Sequence, residues 1–277
     1  MSIYRKLFFL FCIVLSFLII KTGYTEYKTK DKTEANILKR NGFLYYFGLK
    51  KTEKKTDFKK PKLAIIIDDT GYSFKEAEKF FGLDKAITYA ILPFTPYAKK
   101  IAEYAHNKGI EIMLHLPMEP NEYPDKNPGK NALLSSMGYE EFEEVLNKNI
   151  KAVPYIKGVN NHMGSKLTTM PYYMDRLFLL LQKKKLYFID SKTAKKSVTR
   201  QEASFFKIPF EENNLFIDNV RSYNAIKKQI ERLVKIAKKE GKAIGIGHLN
   251  GDLYRVLKKE LPKIKSEVTL VSVSELF

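Results

Sequence analysis

Two adjacent carboxylates, Asp68 and Asp69, close the run Lys62-Leu63-Ala64-Ile65-Ile66-Ile67 and are followed by Thr70-Gly71. An aliphatic run of this kind reads as a buried strand, here delivering an acidic pair to the lip of a sheet. Neighbouring carboxylates in such a place repel and resist ionisation unless a cation or a proton holds them together. The pair therefore points to metal binding or proton transfer. The alternative is that one carboxylate caps the helix read from Ser73 to Phe81 while the other is solvated. Further along, His115, His162, Asp190 and His248 each stand at or just beyond the end of another apolar stretch. The chain has only four histidines, and three occupy such ends; His106, with Asn107 and Lys108 beside it, reads as exposed. Any one of the three could be a partly buried, hydrogen-bonded imidazole. Together, imidazoles and carboxylates without cysteine match a catalytic zinc-type centre, a divalent metal on three protein ligands with a position open for water.

Residues so far apart in the chain meet only if the elements carrying them are parallel. Strand-like stretches fall at Leu63 to Ile67, Ile87 to Leu92, Ile110 to Leu116, Gly158 to Asn161, Leu186 to Ile189, Lys207 to Phe210, Ala243 to Gly247 and Val268 to Val273. Helical patterns alternate with most of them, at Phe74 to Phe81, Tyr97 to Asn107, Tyr139 to Ile150, Tyr173 to Lys184, Ser222 to Glu240 and Asp252 to Leu261. Repeated βα units predict an α/β fold, a distorted (β/α) barrel of seven to eight parallel strands, with an open doubly wound sheet as the alternative. In a parallel barrel the strand ends share one face, which brings the polar residues together. Gly245-Ile246-Gly247 lies within a strand instead of opening a helix, so no dinucleotide site is expected. The stretch from Pro117 to Gly129 is a long proline-rich loop, a place where function often resides.

The chain of 277 residues, 44% hydrophobic and 29% charged, is long enough for one large α/β domain. Arg5-Lys6 precede an apolar run from Leu7 to Ile20, the pattern of an export signal, and Lys21-Thr22-Gly23-Tyr24 makes a poor cleavage site. Residues 1–21 thus read as an uncleaved signal anchor, with a removed signal peptide as the alternative. Cys12, the only cysteine, lies inside that run, which excludes disulfides, a thiol nucleophile and a cysteine-based zinc site from the rest. The net charge is +18, and Lys21 to Lys62 hold 13 Lys or Arg against 5 Asp or Glu. Residues 22–61 therefore read as a basic linker, suited to an anionic membrane or wall polymer, and residues 62–277 as the barrel domain. The expected location is exported, periplasmic or in the cell envelope, tethered to the inner membrane by residues 7–20. Nucleic acid is not an expected partner of an exported chain.

Six blocks in order carry a resemblance. These are Ile65-Ile66-Ile67-Asp68-Asp69-Thr70-Gly71, Leu114-His115-Leu116-Pro117-Met118-Glu119-Pro120, Gly158-Val159-Asn160-Asn161-His162-Met163-Gly164-Ser165, Phe188-Ile189-Asp190-Ser191-Lys192-Thr193, Leu215-Phe216-Ile217-Asp218-Asn219 and Ala243-Ile244-Gly245-Ile246-Gly247-His248. From about Lys62 to Phe277 the chain resembles the divergent polysaccharide deacetylases. The resemblance implies a (β/α) barrel, export, a divalent metal and removal of N- or O-acetyl groups from an envelope polysaccharide. It implies Asp68 as base, Asp69, His115 and His162 as metal ligands, and His248 as general acid. Asp190 is then expected to orient His248 or bind a sugar hydroxyl, and Asn161, Ser165 and Glu119 to contact substrate. Tyr72, Tyr97 and Tyr172 are candidates for stacking on sugars. Two other readings stay open: an inactive barrel that binds glycan or an envelope partner, and a glycosidase pairing Asp68 with Asp190 or Glu119.

Overall fold

The computed structural model describes residues 60–277. The signal read at 1–21, and all of the linker read at 22–61 except Lys60 and Pro61, lie outside the described residues. Among those described, no helix is long and apolar enough to cross a membrane.

Among the described residues, nine strands form one sheet: β1 (Lys62–Thr70), β2 (Thr88–Ile91), β3 (Ile112–Met118), β4 (Gly158–Met163), β5 (Tyr187–Asp190), β6 (Phe210–Glu212), β7 (Leu215–Phe216), β8 (Lys242–His248) and β9 (Thr269–Leu270). Their order is β6-β5-β4-β3-β2-β1-β8-β7, with β9 beside β1, and every pair is parallel. The two ends of this path, β6 and β7, are joined by Asn213-Asn214 alone. Asn213 N–H donates to Asp190 O and Asn214 N–H to Ile244 O, each at 2.9 Å. One stretch of chain thus changes partner from β5 to β8 and draws the curled sheet together, which is the distorted (β/α) barrel the sequence predicts.

Seven helices of the described residues cover the outside of this sheet: α1 (Phe74–Phe81), α2 (Ala98–Asn107), α3 (Tyr139–Ala152), α4 (Pro171–Lys184), α5 (Thr199–Phe205), α6 (Tyr223–Glu240) and α7 (Gly251–Glu267). The aliphatic run of β1 is continuous because both its faces are buried. Leu63, Ile65 and Ile67 join the layer under the helices, while Ala64 and Ile66 join Ala90, Met113, Ile189 and Ile246 in a second cluster inside the barrel. Val271, Val273 and Leu276 complete that inner cluster. Val271 directly follows β9, and Val273 and Leu276 belong to the 3₁₀ turn Val273–Leu276; this segment sits where β1 begins, since Lys62 pairs with Thr269. The barrel therefore has an apolar floor at the N-terminal ends of its strands. Leu276→Ala is expected to lower the unfolding free energy by about 2–4 kcal/mol, read from a urea titration, because the floor cannot collapse onto the space left behind.

Five elements differ from the sequence reading. The strand read from Lys207 to Phe210 begins only at Phe210 as β6, and β7 is an additional short strand. The stretch Val268 to Val273 yields only the two-residue β9 before turning into the 3₁₀ segment, and α5 is an additional short helix. Helix α7 continues past Leu261 through Pro262 to Glu267. Pro262 is exposed, so the carbonyl it leaves without an N–H partner can meet water.

Candidate metal centre and active site

The neighbouring side chains Asp68 and Asp69 would face opposite sides of a regular strand. A bulge changes that. The pairing of β1 with β2 passes from Ile67↔Tyr89 to Thr70↔Ile91, one extra residue on β1, and Asp69 adopts a left-handed φ of 51°. Asp68 keeps the inward direction of Ala64 and Ile66, and Asp69 reaches the same mouth from the bulge. Neither caps α1, whose first turn is capped by Ser73 accepting from Glu76 N–H at 3.2 Å. The capping alternative is thereby excluded.

Strands β3 and β4 supply the imidazoles, with His115 opposite Asn160 and His162 opposite Pro117. Asp69 Oδ1 lies 3.2 Å from His115 Nε2 and 3.1 Å from His162 Nδ1, and the two nitrogens are 3.1 Å apart. These three atoms belong to a group able to hold a metal ion. Asp69 Oδ1 is buried and accepts no aligned hydrogen bond. A tetrahedral cation with bonds of about 2.0–2.1 Å has ligand edges of roughly 3.3–3.4 Å, so the near-equilateral triangle fits one face of it. Asn160 prepares His115 for that role. Its Nδ2 donates to Asp68 Oδ1 at 3.0 Å and Oδ2 at 3.2 Å, so its Oδ1 faces His115 Nδ1 at 2.9 Å. A neutral His115 must then carry its proton on Nδ1, which leaves Nε2 as the nitrogen turned to Asp69 that can ligate.

The field at this mouth attracts positive charge. Burial disfavours a charged His115, yet Asp68 and Asp69 outweigh it and push the imidazole up to about 9. Burial likewise opposes ionisation of Asp69, but His115 and His162 hold that carboxyl far below its usual range. Asp68 is the opposite case. Desolvation dominates and raises it, against the lowering influence of His115, His248 and Asn160. Two adjacent carboxylates are thus driven apart, one firmly ionised for a cation and one more ready to take a proton.

His248, paired with Asp68 across β1 and β8, completes the mouth, its Nε2 3.8 Å from Asp69 Oδ2. Its Nδ1 bonds Asp218 Oδ1 at 3.0 Å, and Asp218 Oδ2 accepts from His248 N–H at 2.9 Å and from Asn250 Nδ2 at 2.7 Å. Asn250 also caps α7, accepting from Leu253 N–H at 2.8 Å. The Asp218 hydrogen bond raises the His248 pKa, against burial.

Asp68, Asp69, His115, His162 and His248 thus come together, whereas four other sequence candidates are placed differently. Asp190 follows Phe188 on the helix-facing side of β5 and accepts from Lys192 N–H, Ser197 Oγ and Thr199 Oγ1 at 2.6–2.7 Å. It braces the turn into α5, and Asp218 orients His248 in its stead. Asn161 is fully buried and spends its amide on Met163 O, Thr193 Oγ1 and Ser191 N–H, so it shapes the loop after β4 instead of lining a groove. Glu119 is buried, bonded to Lys166 Nζ at 2.7 Å and to Ser135 N–H, and is a brace without a free oxygen for substrate. Ser165 Oγ accepts from Asn121 N–H at 3.0 Å, tying the loop after β3 to the one after β4. Tyr72 shares a cavity with His162, while Tyr172 packs against Arg176 on α4 and Tyr97 starts α2. His106 stacks on Tyr155, away from the mouth. Asn160, Asp218 and Asn250 were not anticipated. Register could have found Asp218: Phe216 pairs with Ile246, so two residues on it stands beside His248.

At its C-terminal mouth this parallel (β/α) barrel gathers Asp69, His115 and His162, a group that could hold a metal ion, beside Asp68 and His248. Residues 65–277 match the family model described as divergent polysaccharide deacetylase. The uncharacterized protein YibQ of Escherichia coli (strain K12) is 35% identical over 216 residues, covering 78% of this chain and 67% of that protein. An uncharacterized Haemophilus influenzae protein is 33% identical over 220 residues, covering 79% and 78%. The crystal structure of an uncharacterized Agrobacterium tumefaciens C58 protein superposes with a TM-score of 0.75 at 21% identity, covering 79% of this chain and 90% of that one. This chain belongs to the divergent polysaccharide deacetylase family.

Proposed function

We propose that the chain is a metal-dependent hydrolase that removes N- or O-acetyl groups from an envelope polysaccharide, with zinc as the metal. In the same proposal it is exported and tethered to the membrane by residues 7–20, which the basic start and apolar run support. The observation that carries the hydrolase reading is the convergence of Asp69, His115 and His162 with an oriented base and an oriented acid. Asp69, His115 and His162 would hold a divalent cation, which would supply Lewis acidity toward an acyl carbonyl and toward water. Asp68, fixed by Asn160, takes the proton of the attacking water. His248, held through Nδ1 by Asp218, turns Nε2 to the mouth and delivers a proton to the departing sugar nitrogen or oxygen. Burial excludes bulk water from Asp68, which keeps the proton transfers between these groups. The two-carboxylate glycosidase reading loses its second acid, because Asp190 and Glu119 are both committed to braces.

The test is acetate release from a panel of acetylated envelope polymers by the full chain. Release that stops with a chelator and returns with zinc is expected; a metal-loaded protein inert on every polymer overturns the proposal. The acid role adds a pH signature. A protonated His248 is the active form, and Asp218 keeps it protonated to higher pH. Asp218→Asn should therefore move the alkaline limb of the kcat/KM profile to lower pH.

A further inference from the structure

Beside His162 lies a cavity of about 220 Å³ walled by Tyr72, Phe94, Pro96, Pro128 and Lys130. It is smaller than the usual cleft for a drug-sized ligand, and suits one ring-sized unit better than an oligomer. Two of its walls are aromatic and exposed, Tyr72 at 65% and Phe94 at 41%. Phe94 has no aromatic partner among the described residues and only Lys130 Nζ over its ring, at 5.7 Å. It is also held at φ 59°, a left-handed conformation that a bulky residue rarely adopts.

The loop that enforces this conformation is anchored to the strand bearing the two aspartates. Leu92 N–H donates to Thr70 O at 2.8 Å and Tyr97 N–H to Gly71 O at 3.0 Å. Thr95 Oγ1 closes the loop onto Leu92 O at 2.8 Å. Gly71, at φ 144°, leaves the room Thr95 needs, since a Cβ there would stand 2.0 Å from Thr95 Oγ1. Pro93 and Pro96 stiffen either side. Core packing does not explain an exposed, strained phenylalanine on so rigid a mount, whereas a flat face presented to a ligand does.

We propose that Tyr72 and Phe94 form a shelf that seats a single pyranose ring next to the metal centre, stacking on its apolar C–H face. This deepens the deacetylase reading and rests on it for the identity of the ligand. The shelf places an acetyl-bearing sugar within reach of His162 and leaves the polymer on either side in solvent.

The experiment uses the full metal-loaded chain, 4-nitrophenyl acetate, and two oligosaccharides, an N-acetylglucosamine tetramer and an O-acetylated xylo-oligosaccharide. Phe94→Ala and Tyr72→Ala should raise KM for the oligosaccharide that is turned over by about tenfold or more. The loss of kcat/KM should be at least about tenfold larger than on the aryl ester, and Phe94→Tyr should restore most of it. Equal losses on both substrates, or no change in KM, overturn the shelf. If the wild type turns over neither oligosaccharide, the deacetylase reading fails separately, and the shelf is judged by binding. A Kd weakened about tenfold in Phe94→Ala then supports it, and equal affinity or no binding to wild type overturns it.

Discussion

Asp68→Asn is expected to keep fold and metal and to lower acetate release by about 10²–10⁴-fold, the range a positioned base contributes. The amide is nearly isosteric, and one oxygen suffices to accept from Asn160 Nδ2, which now bonds both carboxylate oxygens. The metal group loses no member, since Asp68 is outside it. The variant removes the capacity to take a proton together with one of the two carboxylate charges that face His115, which is why metal content has to be matched. Acetate measured with wild type and variant at matched metal content decides the matter; equal rates would remove Asp68 from the mechanism. An inactive glycan-binding barrel predicts instead that neither protein releases acetate and both bind glycan alike.

Loss of either imidazole should act on the metal first. His115→Ala and His162→Ala each leave two of three ligands, and an affinity loss of more than about 100-fold is expected, above the range for removing a ligand's supporting partner. The two should differ in stability. His115 is buried and Asn160 Oδ1 depends on it, so its removal orphans an acceptor and costs about 1–3 kcal/mol. His162, at 19% side-chain exposure, leaves a site that water can enter. Metal content by elemental analysis and a melting curve separate the two effects; full occupancy in both variants would refute the ligand assignment. A proton also competes for the site. With His115 held at about 9, binding a cation below that pH displaces its proton, so affinity should rise with pH and level off near 9.

The convergence of Asp69, His115 and His162 was legible because the cues are local. An aliphatic run breaking into a carboxylate or imidazole marks a strand end, and parallel strands collect such ends on one face. What stayed hidden depends on which side of its strand a residue faces. Asp190 and Asp218 look alike in sequence, each ending a short apolar stretch, yet Asp190 shares its side with Phe188 of the outer core and Asp218 stands across from His248. Asn160 and Asn161 are neighbours with the same side chain, and only the one opposite His115 reaches the centre. The bulge that lets Asp69 join Asp68 has no residue signature of its own. The broken strand at Asn213-Asn214 was equally unreadable, because each half is too short to show a period.

The apolar floor also has a meaning in time. Strand β1 is made early, but it receives its β8 partner only when Lys242–His248 emerges, and Val273 N–H reaches Thr88 Oγ1 across a separation of 185 residues. At about 5–20 residues per second, the ribosome leaves one edge of β1 without its partner for on the order of ten seconds or more. During that interval the aliphatic run and its two aspartates cannot be sealed into a barrel, and β1 stays open to a chaperone that recognises extended apolar segments.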